Sequence, residues 1–226
     1  MIICTTRYNS QTWEEYQQWK QTNQETYEQT YKRPLKCIYG TPREISSRKI
    51  KPNIKICIIE MHNDLNKIMG IGIIENRTAN EVYHTPQKTR PTIREHPPPS
   101  HIAISHTAPV LPFPQQPIKY KIFTERNYNR YIYIGNEFYL SREEIERYTP
   151  QQDHQQATHQ QAPSLLETIT ALEAKLFKGS RHCKRGSGIT KIPNWIIEEG
   201  HTKTIEMQIH HHITSRTAMR ITKKSS

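Results

Sequence analysis

Apolar positions along the chain change their period several times, and each change marks an element. Met1 to Thr6 is apolar or β-branched and predicts a short strand. A helix should follow, because Thr12 and Glu15 fit a Ser/Thr-x-x-Glu capping box. Tyr16, Trp19 and Tyr27 recur at helical spacing and place aromatics on one face. Lys36 to Pro42 predicts a brief strand stopped by Gly40 and Pro42. Ile54 to Met61 (IKICIIEM) is nearly continuous in apolar residues, the pattern of a strand covered on both faces. A polar turn with Asn63, Asp64 and Asn66 follows, and Ile68 to Glu75 (IMGIGIIE) predicts the hairpin partner. Gly70 and Gly72 inside that strand mark a bulge or a close backbone approach. They are not a dinucleotide fingerprint, since no third glycine and no helix follow.

Further on, Tyr120 to Phe123 and Tyr131 to Ile134 predict two more strands. Ser141 and Glu144 form a second capping box, opening a short helix to Tyr148. Ser164 and Glu167 form a third, ahead of the strongest helical pattern. There Leu165, Ile169, Leu172 and Leu176 line one face, Lys175 and Lys178 fill the last turn, and Gly179 suits the residue just past the end. Ile192 to Ile197 reads as an apolar anchor and Thr204 to Ile213 as a final strand. Between these patterns lie two biased stretches. Nine of the fifteen prolines fall between Pro86 and Pro117, and Pro150 to Gln161 is rich in Gln and His. The expected organisation is an α+β domain at residues 1–148 with a disordered Pro-rich insert at 86–117. A Gln/His-rich linker at 149–163 and a basic helix-loop region at 164–226 complete it.

Composition narrows the function classes. Only 34% of the 226 residues are hydrophobic, so the core is modest. The formal charge is +11, of which +8 lies in residues 175–226 and +3 in residues 1–174. A cationic quarter on a nearly balanced body implies a polyanionic partner. No run is long enough for a membrane span, and Met1-Ile2-Ile3-Cys4 is too short for a signal peptide. Cys4, Cys37, Cys57 and Cys183 form no C-x-x-C pair, so reduced thiols in an intracellular protein are expected.

The candidate chemistry concentrates in Lys178 to Lys191 (KGSRHCKRGSGITK), with five cations, three glycines and no acidic residue. Lys178, Arg181, Lys184, Arg185 and Lys191 would supply charge to phosphates, with His182 beside them. Gly179, Gly186 and Gly188 would let backbone amides approach an anion closely. The spacing is not a Walker A loop, and the segment follows a helix instead of preceding one, which disfavours nucleotide hydrolysis. Backbone-phosphate binding on DNA or RNA fits better than a bare solvated turn, and its affinity should fall steeply with salt. Trp13, Trp19 and Tyr39 are candidates for base stacking. Two rival readings are a virion structural or genome-packaging protein and a nucleic-acid-modifying enzyme such as a metal-dependent nuclease. The second would draw on His182, Glu198, Glu199 and His201, yet no recognisable ligand spacing links them. Cys183 beside Lys184 and Arg185 has no evident base. His210, His211 and His212 cannot converge on one ion from a strand, because neighbours point to opposite faces. No catalytic residue, metal or cofactor is therefore assigned.

Two resemblances bear on these expectations. The order of strand, Trp-bearing helix, short strand with Tyr39, then the IKICIIEM…IMGIGIIE hairpin resembles the small barrels of the PUA superfamily, including EVE-like and YTH-like domains. That resemblance spans roughly residues 1–148. It implies a small mixed β-barrel or curved sheet with flanking helices, RNA or modified-base binding, and a base pocket built from Trp13, Trp19 and Tyr39. The CIYGTP, IIEMHNDLNKIMGIGII, YNRYIYIG and LFKGSRHCKRGSGIT segments resemble uncharacterised proteins of large nucleocytoplasmic DNA viruses. This implies a viral setting, with DNA, RNA or other virion proteins as partners, and no named activity.

Overall fold

The computed structural model describes residues 1–79, 120–148, 164–179, 182–198, 203, 205–207, 209 and 210. The Pro-rich stretch at 86–117, the linker at 149–163, Arg181 and residues 211–226 lie outside them. In chain order the elements are β1 (Ile2–Tyr8), α1 (Ser10–Tyr31), β2 (Cys37–Thr41), β3 (Lys55–His62) and β4 (Lys67–Glu75). A 3-10 turn (Arg126–Asn129), β5 (Tyr131–Gly135), β6 (Phe138–Ser141) and α2 (Arg142–Tyr148) follow. Last come α3 (Leu165–Phe177), β7 (Thr190–Lys191) and α4 (Asn194–Glu198).

The hairpin pattern builds the centre of the molecule. β3 and β4 pair antiparallel, and β1 adds to the other side of β3 in parallel register, Ile2 opposite Ile56 and Tyr8 opposite His62. The five-stranded sheet runs β6-β4-β3-β1-β7, and β2 pairs with β5 as a separate two-stranded ribbon. The fold is thus α+β with a mixed sheet and flanking helices. Neither sheet closes on itself, so among the described residues the expected barrel is replaced by an open sheet with a ribbon against one face.

Strand alternation divides the core into two sides. Cys57, Ile59 and Met61 of β3 point to one face, where Ile169, Leu172 and Leu176 of α3 cover them. Each such aliphatic side chain, fully buried, contributes about 1.5–3 kcal/mol. Ile56 and Ile58 point to the other face, under Cys37 and Tyr39 of the ribbon. α1 closes the rest of that face with Tyr16, Trp19 and Tyr27. An ion pair fixes the helical side: Arg142 reaches Glu173 at 2.5 Å, while Glu173 also accepts from the Ile68 amide at 2.8 Å. All four cysteines are buried and form no disulfide. No helix among the described residues is long and apolar enough to cross a membrane.

Several expectations need correction. α1 begins three residues earlier than the capping box suggested, with Asn9 as the N-cap and Thr12 as its N3 partner. Residues 120–123 form no strand. Asn129 Oδ1 instead accepts from the amides of Ile122 (2.8 Å) and Phe123 (2.9 Å), a side chain doing the work of a ladder. Residues 203, 205–207, 209 and 210 are helical, not extended. Ile205 and Ile209, one turn apart, both bury against the α3 side of the core.

Candidate anion-binding loop and buried glutamate

The chain leaving α3 carries the basic segment across the carboxyl ends of β1 and β3. Gly179 follows the helix with φ +78°, and the Cys183 amide donates back to the Leu176 carbonyl at 2.7 Å. Arg7, next to last in β1, donates from Nε to the Cys183 carbonyl. Asn63 donates from Nδ2 to the Lys184 carbonyl at 3.1 Å. Gly186 and Gly188 both take positive φ, +112° and +81°, which side chains rarely tolerate, so the loop depends on glycine there. Lys178, Arg185 and Lys191 are exposed and Lys184 is half-buried. None of the ion pairs among the described residues uses any of these four. Asp64 is a carboxylate close enough to feel Lys184. Its pKa is held down mainly by the Ser10 amide and hydroxyl, with His62 and Lys184 adding to the effect.

The groups beneath the loop are cationic or polar. Arg7 has its pKa lowered by burial, with only the Cys183 thiol opposing. Its Nη1 makes no hydrogen bond, and neither does Asn63 Oδ1 or His182 Nδ1. Burial pushes the Cys183 thiol up, against the pull of Arg7, so its environment is the opposite of a reactive thiolate's. Of the metal-ligand candidates only His182 has a described side chain, and no group of three His, Cys, Asp or Glu gathers among the described residues. His210 is exposed, and its two neighbours lie outside the described residues.

The three aromatic candidates do not meet. Tyr39 is fully buried between the ribbon and the sheet, and Trp19, at 8% exposure, packs on Tyr120 with ring centres 6.0 Å apart. Trp13 alone reaches a surface groove of about 620 Å³ between α1 and β6, beside Lys20, Met69 and Tyr139.

Under that groove lies a constellation the sequence reading did not single out. Glu60, on the central strand, is fully buried. Tyr16 donates to its Oε1 at 3.2 Å and Tyr139 to its Oε2 at 2.9 Å. Tyr39 Oη is close enough to act on the carboxyl but forms no well-shaped hydrogen bond. Lys20 sits with Nζ 3.9 Å above the Tyr139 ring. Burial raises the Glu60 pKa; Lys20 and the three phenols pull against it. Burial likewise lowers the Lys20 pKa, opposed first by Glu60. Gly70 and Gly72 make room: a Cβ at Gly70 would stand 2.7 Å from both Glu60 Oε2 and Tyr139 Oη. Register slips here too, because Glu60 faces Gly70 while Met61 faces Ile68, leaving Met69 as the extra residue of a bulge. A lone Glu inside IKICIIEM, with Gly70 opposite it in the hairpin, is the available signal. Compared with known proteins, the chain matches no family model, no curated protein and no solved structure.

Proposed function

We propose that the chain binds nucleic acid, gripping phosphates with the loop of residues 182–191 and the flanking Lys178. One observation carries this reading: the loop presents Lys178, Lys184, Arg185 and Lys191, and no carboxylate of the described residues is ion-paired with any of them. A cationic turn that served only the fold would be expected to meet acidic neighbours. This one faces solvent and is backed by a further guanidinium, Arg7. Binding fits better than nucleophilic catalysis, because the Cys183 thiol is pushed up by burial. Phosphate contacts of this kind position a strand without reading its sequence.

The test is oligonucleotide affinity at several salt concentrations, for wild type and for a variant carrying Lys184→Ala, Arg185→Ala and Lys191→Ala. Each lost phosphate contact should lower the slope of log K against log salt by about 0.7–0.9. Three losses should weaken binding at least about tenfold at low salt. Unchanged affinity and slope in the triple variant would remove the loop from the interface.

A further inference from the structure

Three buried polar atoms without partners lie against one short segment of the loop. Arg7 uses Nε on the Cys183 carbonyl and leaves Nη1 unbonded. Asn63 uses its amide on the Tyr8 carbonyl at 2.8 Å and Nδ2 on the Lys184 carbonyl, and leaves Oδ1 unbonded. His182, from the same segment, leaves Nδ1 unbonded. Arg7 Nη1 would stand 3.9 Å from a Cβ at Gly186, so it lies just under the loop. Unsatisfied buried groups are rare because each has given up its water without a replacement partner, and charged ones lose more. A group of them in one place signals something that completes their bonding.

The position agrees with this. Arg7 pairs with Met61 across the parallel strands β1 and β3, and Asn63 leaves the end of β3. Loops at the carboxyl ends of parallel strands are where open sheets take their ligands. Cys183 is tied to Leu176 and Thr190 to β1, the Lys184 carbonyl is held by the Asn63 side chain, and between them residues 185–189 make no backbone-to-backbone bond among the described residues.

We propose that Arg7, Asn63 and His182 form a niche for a single phosphate monoester, carried on a nucleic-acid end or a mononucleotide. This rests on the phosphate reading of the same loop and narrows it. The guanidinium and the imidazole are donors for phosphoryl oxygens. Asn63 Oδ1 is an acceptor, and it suits the one oxygen that a monoester can protonate near pH 6 and a diester cannot. A niche under a loop also admits a group with one ester arm more easily than a phosphate joined to sugars on both sides. Lys184 and Arg185 then hold the strand beyond its terminal phosphate.

The experiment compares three single-stranded oligonucleotides of one sequence: 5′-phosphorylated, 3′-phosphorylated and unphosphorylated. Each is labelled away from the modified end and titrated by fluorescence anisotropy. In parallel, thermal unfolding is followed in inorganic phosphate, in a nucleoside monophosphate and in chloride at matched ionic strength. One phosphorylated end should bind about tenfold tighter than the bare strand, the effect of one charge-assisted pair. That preference should vanish in Arg7→Gln and shrink in His182→Gln, while Lys191→Ala weakens all three strands alike. If Arg7→Gln fails to fold, His182→Gln and the wild-type phosphate response decide. Equal binding of all three strands and no phosphate stabilisation overturns the niche and leaves the loop reading intact. No binding of any strand, with phosphate stabilisation that His182→Gln abolishes, overturns the nucleic-acid reading and assigns the niche to mononucleotides.

Discussion

Two polar clusters sit back to back across β1, and they are built on opposite principles. Arg7 and Tyr8 are consecutive, so alternation sends them to opposite faces of the sheet. Arg7 goes under the basic loop, where it meets backbone carbonyls and keeps one nitrogen unbonded. Tyr8 goes into the aromatic cluster around Glu60, with its ring stacked 5.3 Å from Tyr16. The Glu60 cluster is nearly closed: its carboxyl takes two phenol hydrogen bonds, Lys20 stands over the Tyr139 ring, and one hydroxyl, that of Tyr39, is left unbonded. The loop cluster is open, with exposed cations that have no ion pair among the described residues and orphaned atoms underneath. A cluster whose charge is met from within serves the fold, and one whose cations meet no carboxylate among the described residues is set up for something from outside. If that contrast is right, substitutions in the first should cost stability and substitutions in the second should cost binding.

The largest effect is expected at Glu60. Glu60→Leu leaves the Tyr16 and Tyr139 hydroxyls buried without an acceptor and Lys20 without its counter-charge. Breaking such a set from one side costs about 3–5 kcal/mol, read as a fall in the denaturation midpoint. A variant as stable as wild type would break the comparison, because the network would then be kept for function. Gly72→Ala comes next. Its methyl would run into Tyr39 Oη and stand 2.7 Å from Cys37 Sγ, between the ribbon and the sheet. Such overpacking costs about 1–3 kcal/mol. Without that loss, the ribbon would be shown to yield where the core is described as tight.

A pH series sharpens the same point. Burial raises the Glu60 pKa above its ordinary 4.5, so the folded chain keeps a proton that the unfolded chain has released. Wild-type stability should therefore fall, relative to Glu60→Gln, as pH rises from about 4.5 toward the folded pKa. The slope is at most about 1.4 kcal/mol per pH unit, and the difference levels off beyond. A difference that grew in favour of wild type over this window would mean that the phenols and Lys20 outweigh burial.

The sequence showed the loop and hid the glutamate for one physical reason. Cations and glycines between Lys178 and Lys191 are local, so they stand out in a window of fourteen residues. The Glu60 set is drawn from α1, β2, β3 and β6, joined by sheet pairing and by the bulge at Met69, none of which has a sequence-local sign. The β3–β4 hairpin was legible because its period and its turn are both local. The strand expected at Thr204 to Ile213 has a local cause: Ile205, Met207 and Ile209 alternate with Glu206 and Gln208, while Ile205 and Ile209 alone also fit one helical turn. The buried pair one helical turn apart decides for helix. The same difference explains Trp19 and Tyr39, whose aromatic character was visible but whose burial depends on partners far along the chain.

The smallest expected effect on stability is at the loop surface. Arg185→Ala and Lys191→Ala remove exposed side chains that have no ion pair among the described residues, so each should change unfolding free energy by less than about 0.5 kcal/mol. Lys184→Ala is the finer probe, since Lys184 lies near Asp64, whose carboxyl chiefly holds the Ser10 amide and hydroxyl at the start of α1. Removing Lys184 should raise the Asp64 pKa slightly and leave the Ser10 bonds in place. Asp64→Ala should lower stability by removing the acceptor of the Ser10 amide and hydroxyl, while making the loop more cationic. Stability and nucleic-acid affinity should then move in opposite directions in Asp64→Ala. If they fall together, the loop owes its shape to that carboxylate and its cations are less free than their geometry implies.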